Sequence, residues 1–133
     1  VTPQPSSALI VIGIKVVDAS AVAAILFGEP EAAAVAERLE GARLAAPSLL
    51  AFELANVCLT KIRRQPAQRE ALRAALRLAR RLKVETVAVD HAAALDLAEA
   101  TGLTAYDASY LWLSRSLGGA LVTLDRKLAA ASP

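Results

Sequence analysis

Four acids stand out by their neighbours: Asp18 after Val16-Val17, Glu53 inside an apolar stretch, Asp107 in Thr104-Ala105-Tyr106-Asp107, and Asp125 after Val122-Thr123-Leu124. Asp18, Asp125 and a further aspartate, Asp90, each close an apolar run that reads as a strand, and each precedes a stretch that reads as a helix. In a parallel sheet the C-terminal strand ends share one edge, so these acids are expected on the same side of the molecule. Aspartate is also a preferred helix N-cap, and for any one of them alone capping is the simpler account. Asp107 likewise fits a capping box with Thr104, although a helix start after Gly102 would let it point to the same edge. Glu53 differs. It is the only acid between Glu40 and Glu70 and is flanked by Leu49, Leu50, Phe52, Leu54 and Val57, where burying a carboxylate is costly unless a donor or cation compensates it. Asn56 and Thr60, at i+3 and i+7, extend a polar stripe from it. Asp18-x-Ser20 and Thr123-x-Asp125 each pair a carboxylate with a hydroxyl.

Should Asp18, Glu53, Asp107 and Asp125 converge, they could not all remain ionised without cations, because like charges raise one another's pKa. Oxygen-only ligation selects Mg²⁺ or Mn²⁺. With one histidine, His91, and one cysteine, Cys58, a His/Cys zinc site is excluded. Cys58 falls on a helical apolar pattern and reads as a buried, inert thiol. One or two hard cations held this way can bridge a phosphodiester and lower the pKa of a water, which points to hydrolysis of nucleic-acid phosphodiesters.

Alternating strands and helices would position these acids. Leu9 to Val17, interrupted by Lys15, reads as the first strand and Ala21–Phe27 as the helix behind it; Glu31–Leu39 is a second helix and Arg43–Ala46 a weak second strand. Pro47 opens a helix to about Arg64, and Pro66 another to about Leu82 with an apolar stripe of Leu72, Ala75, Leu76, Ala79 and Leu82. Glu85–Val89 is a third strand ahead of a helix that stops at Gly102. Thr104–Leu117 is the next helix, and Ala120–Leu124 a fourth strand with a short helix after it. This order predicts an α/β fold with a parallel sheet between helices. Residues 1–13 read as a tail or the start of the first strand, and residues 14–133 as a single domain.

The 56% hydrophobic content is that of a globular chain, and its longest apolar stretch is too short to span a bilayer. The expectation is a cytoplasmic protein without a signal peptide or membrane segment. The net charge of +2 conceals an asymmetry: nine basic residues lie between Lys61 and Lys83 against one acid, Glu70. Arg69, Arg73, Arg77 and Arg80 fall on one helix, either as a solvated face or as a surface steering a phosphate backbone.

Val16-Val17-Asp18-Ala19-Ser20-Ala21-Val22, Glu53-Leu54-Ala55-Asn56, Tyr106-Asp107-Ala108-Ser109-Tyr110 and Leu121-Val122-Thr123-Leu124-Asp125-Arg126 together resemble the PIN-domain ribonucleases, most closely the VapC toxins of toxin–antitoxin pairs. The resemblance covers the chain from about Ile14 and rests on four motifs in order. It implies a three-layer α/β/α PIN-like fold with four or five strands and a Mg²⁺- or Mn²⁺-dependent RNA endonuclease. Asp18, Glu53, Asp107 and Asp125 would be its catalytic and metal-holding acids, with Ser20 and Thr123 as supporting hydroxyls. Asp90 is left as a cap on an edge strand. The resemblance also implies RNA as substrate, a small cognate antitoxin that places a basic side chain among the acids, and a homodimer. Two other readings stand beside it. One is a catalytically silent PIN-like module that binds RNA or protein. The other is a receiver-like signalling domain, which would want paired acids after the first strand, where this chain has Ala19-Ser20.

Overall fold

Val16 and Val17 are wholly buried, as a central parallel strand covered on both faces requires. A computed structural model describes residues 13–132; the expected polar tail and the Leu9–Ile12 part of the first strand lie outside the described residues. The chain runs β1 (Ile14–Val17), α1 (Ala19–Leu26), α2 (Ala32–Leu39), β2 (Arg43–Ala46), α3 (Leu49–Arg64), α4 (Arg69–Arg77), β3 (Glu85–Thr86), α5 (His91–Thr101), α6 (Ala105–Leu117), β4 (Ala120–Val122) and α7 (Arg126–Ala131). Among the described residues the sheet has four strands in the order β3-β2-β1-β4, and every pairing is parallel.

That order dictates the layers. The path from β1 through β2 to β3 moves across the sheet one way, and the connection from β3 to β4 returns past β1. Right-handed crossovers therefore put α5 and α6 on the face opposite α1 to α4. α6 packs on β1 and β4 with α5 and α7 against it, while α1 packs on α2 and α3. The result is a three-layer α/β/α fold. With β2 on one side of β1 and β4 on the other, the carboxyl end of β1 is the switch point of the sheet, where such folds open a crevice.

Two expected strands are shorter in the structure, and one helix is broken. β3 stops at Thr86 because its partner β2 ends at Ala46, whose carbonyl accepts a last bond from the Val87 amide before Pro47 turns the chain into α3. β4 stops at Val122, level with Val17 at the end of β1, so Asp90 and Asp125 follow short connecting stretches rather than strand ends. The helix expected over Pro66–Leu82 is an α-helix only at Arg69–Arg77. It is flanked by 3₁₀ turns at Pro66–Gln68 and Leu78–Leu82 and terminated by Lys83 in the left-handed region. Helix ends commonly tighten this way. The apolar stripe of Leu72, Ala75, Leu76, Ala79 and Leu82 is the inward side, each residue half-buried.

Gly118-Gly119 joins α6 to β4 and uses both glycines, for different reasons. Gly118 closes the helix at φ +66°. Gly119 passes so close to β1 that a Cβ there would run into the Ile14 carbonyl oxygen. Replacing Gly119 with Ala should force β4 away from β1 and lower unfolding free energy by about 1–3 kcal/mol in a denaturant titration; an unchanged midpoint would contradict this packing.

Candidate active site

Asp18 is 6% exposed and sits between β1 and α1 with extended backbone, as an N-cap does. Its Oδ1 accepts from the Ala21 amide at 3.1 Å and from Ser20 Oγ at 2.7 Å. Its Oδ2 accepts from Thr123 Oγ1 at 2.5 Å. While donating to Asp18, each hydroxyl accepts from a backbone amide: Leu124 N donates to Ser20 Oγ at 2.8 Å, and Asp125 N to Thr123 Oγ1 at 3.0 Å. The capping reading and the site reading of Asp18 therefore describe one carboxylate. Ser20 bonds the acid with which its spacing pairs it, whereas the Thr123 hydroxyl, paired by spacing with Asp125, donates to Asp18 and accepts from the Asp125 amide.

Asp125 caps α7 by accepting from the Leu128 amide at 2.9 Å, and the Thr123 contact places it at the mouth of the same edge. Asp107 stands in the first turn of α6, where its amide donates to Thr104 Oγ1 at 3.0 Å. Glu53 lies on α3 one turn beyond Leu49, at the margin of the buried stripe of Leu50, Leu54 and Cys58. Half-buried, it accepts a 2.6 Å hydrogen bond from the Tyr110 hydroxyl. Tyr110 is itself buried in α6, so this bond ties the two helices that supply Glu53 and Asp107. Tyr110 was not singled out as a site residue from the sequence; its signal there is a phenol one helical turn after an acid.

Acids from separate elements lie near enough for their charges to act on one another. Glu53 is raised above its ordinary 4.5, first by burial and then by the charges of Asp107 and Asp18, against the lowering effect of the Tyr110 bond. Asp107 is raised above 3.8 by burial and by Asp125 and Asp18, with Lys127 acting the other way. Burial and the neighbouring carboxylates also push the Tyr110 phenol far up, so it remains a donor. Among the described residues no three of these groups are gathered tightly enough to cage a metal as they stand. The donor set nevertheless fits Mg²⁺ or Mn²⁺, which are held by one or two carboxylates plus waters rather than by an all-protein cage.

The remaining expected residues stand apart. Asn56 and Thr60 are exposed on α3, and Asn56 makes no side-chain hydrogen bond among the described residues. Arg69, Arg73, Arg77 and Arg80 are exposed on and just beyond α4, Arg69 pairing with Glu70 at 2.6 Å. Asp90 caps α5 through the Ala93 amide and follows edge strand β3. Cys58 is buried, its thiol donating to the Leu72 carbonyl oxygen at 3.5 Å.

A raised folded-state pKa in an acid means that the folded chain holds protons the unfolded chain has released, so stability falls as pH rises from the ordinary carboxylate range through the raised value. Glu53→Gln keeps the acceptor for Tyr110 and removes this penalty. Without metal, it should melt above wild type at neutral pH, with the gap closing as pH falls to about 4; a gap independent of pH would contradict the raised Glu53.

The PIN domain family profile matches residues 15–132. Ribonuclease VapC3 of Pyrobaculum aerophilum is 37% identical over 124 residues, 89% of this chain and 94% of that protein. The crystal structure of PAE2754 from the same organism superposes with a TM-score of 0.72 at 26% identity, covering 91% of this chain and 87% of that one. The profile match over nearly the whole described chain, together with a relative 37% identical across 89% of it, makes this chain a member of the PIN domain family, of the VapC type.

Proposed function

We propose that this protein is a Mg²⁺- or Mn²⁺-dependent endoribonuclease and the toxin of a toxin–antitoxin pair, acting in the cytoplasm. The observation that carries the reading is the electrostatic coupling of carboxylates from separate elements, Asp18, Glu53, Asp107 and Asp125, around one sheet edge. The name of its relative, Ribonuclease VapC3, supports it. Asp18, Glu53 and Asp107 would hold the principal cation, with Asp125 supporting it. When bound, the cation supplies a Lewis acid toward the phosphodiester and lowers the pKa of a water.

The chain's own residues have distinct tasks. Ser20, Thr123 and the Ala21 amide fix the Asp18 carboxylate in one orientation. Tyr110 aims Glu53 without taking its charge. Asp107 and Glu53, both raised by burial and then by neighbouring charge, would gain most from a cation. Arg69, Arg73, Arg77 and Arg80 steer the RNA backbone toward the site. The cognate antitoxin would silence it by setting a Lys or Arg against the acids in place of the cation. The exposed α3 face of Phe52, Ala55 and Leu59, with Phe52 78% exposed, is the surface we assign to homodimerisation. No helix among the described residues is long and apolar enough to cross a membrane.

Glu53→Gln should reduce RNA cleavage in Mn²⁺ about a hundredfold or more while its fold is retained, and calorimetric Mn²⁺ titration should show weakened binding. Asp18→Asn should lose both cleavage and stability, because one carboxylate oxygen that accepts from Thr123 becomes a donor; wild-type cleavage by either variant would sink the assignment. A second reading is a PIN-like module that binds RNA without cutting it. It predicts RNA binding with no cleavage in any divalent cation.

Replacing Arg73 and Arg77 together by Ala should weaken RNA binding and flatten the slope of log affinity against log salt by about 1.4 for single strands. An unaltered slope would remove α4 from the RNA path.

A further inference from the structure

Beside the acid edge, outside the carboxyl ends of β2 and β3, lies a cavity of about 630 Å³. Its walls come from three places: Pro47, Ser48 and Leu49 at the start of α3; the Thr86–Val89 stretch with His91 and Ala94 of α5; and Ala105, Tyr106 and Ser109 on α6. The proposed machinery uses none of these side chains, yet two of the walls adjoin it directly. Tyr106 is the residue before Asp107, and Leu49 lies one helical turn before Glu53 on α3.

The cavity's chemistry is unlike that of its neighbour. No Asp, Glu, Lys or Arg lines it, so it holds no charged group to pair with a phosphate. Its inner surface is apolar, with Ala94 buried, and the polar atoms of Ser48, Thr86 and His91 stand at exposed positions around it. The Tyr106 ring is 67% exposed at its side, an apolar plane available for stacking. A volume within the usual range of small-molecule sites, neutral walls, a few hydrogen-bonding groups and an aromatic plane are what a single splayed base with its ribose requires.

The geometry points to a nucleobase subsite: an unpaired base of the RNA, next to the phosphate engaged by the acids, enters this cavity and stacks on Tyr106. The inference rests on the ribonuclease reading, since the base belongs to a nucleotide whose phosphate the acids would hold. The division of labour follows from charge. The acid edge with its cation takes the phosphate, and the uncharged cavity beside it takes the uncharged ring. Tyr106 is then a binding residue that holds a base next to the cut, where Ser48, Thr86 and His91 can read its edge.

The test compares wild type, Tyr106→Ala and Tyr106→Phe in two assays. The first, in EDTA, is fluorescence anisotropy with a short labelled oligoribonucleotide and with an abasic ribose-phosphate oligomer of the same length. Tyr106→Ala should weaken the base-containing oligomer about five- to a hundredfold, leave the abasic one unchanged, and be rescued by Tyr106→Phe. The second sequences the cleavage products of a randomised RNA in Mn²⁺, where wild type should show a base preference at one position beside the cut that Tyr106→Ala flattens. The subsite is overturned if Tyr106→Ala binds both oligomers as wild type does, if it loses both alike, or if wild type binds neither. An active enzyme with base-independent binding would overturn the subsite and keep the nuclease. Base-dependent binding through Tyr106 by a protein that cuts no RNA would keep the subsite and overturn the nuclease.

Discussion

The Asp18 carboxylate is the contact on which the rest of this edge depends. It is buried, a placement that is unfavourable for a carboxyl group unless its lone pairs are met, and three donors meet them from the backbone of α1, from Ser20 and from Thr123. Because both hydroxyls spend their protons on Asp18, they turn acceptor lone pairs toward the Leu124 and Asp125 amides just beyond β4. One carboxylate thereby starts a helix, joins the exits of two neighbouring strands and determines where Asp125 emerges.

The other acids are arranged on the opposite principle. Glu53 has the Tyr110 donor, which does not offset its burial, and Asp107 is also left above its ordinary range by burial and by neighbouring charge. A site built this way combines a satisfied anchor with acids that are uncomfortable as anions. A divalent cation, as proposed, would relieve that discomfort, so binding strength and the stability of the metal-free fold would be drawn from the same source. Such opposition between stability and activity is common where charges are gathered for function.

Charge is also segregated across the surface. The acids occupy the switch point, an uncharged cavity adjoins them beyond β2 and β3, and the arginines of α4 and its flanking turn form a separate basic face. An RNA strand, the substrate proposed above, would meet three different chemistries in turn. Only the acid edge is demanding to build, because it alone draws carboxylates from four separate stretches of chain.

The sequence by itself determined the order of elements, because burial on both faces leaves continuous apolar strands and burial on one face leaves helical stripes. It also supplied the acids, since an isolated Glu53 among leucines and aspartates after apolar runs are conspicuous in any chain. What it could not decide was proximity. Asp18 and Asp90 look alike in one dimension, both following valines and both capping helices. They differ because the sheet order puts β1 at the centre and β3 at the edge. Strand lengths also depended on partners: Val87–Val89 is as strand-like as β3 itself, but β2 has already turned away at Pro47. The role of Tyr110 emerged only when α6 was laid against α3, and the Tyr106 cavity only when α5, α6 and the end of β2 were assembled around it. Residue type can be read locally, whereas a contact across 57 residues, such as that of Tyr110 with Glu53, exists only once the core has fixed the distance.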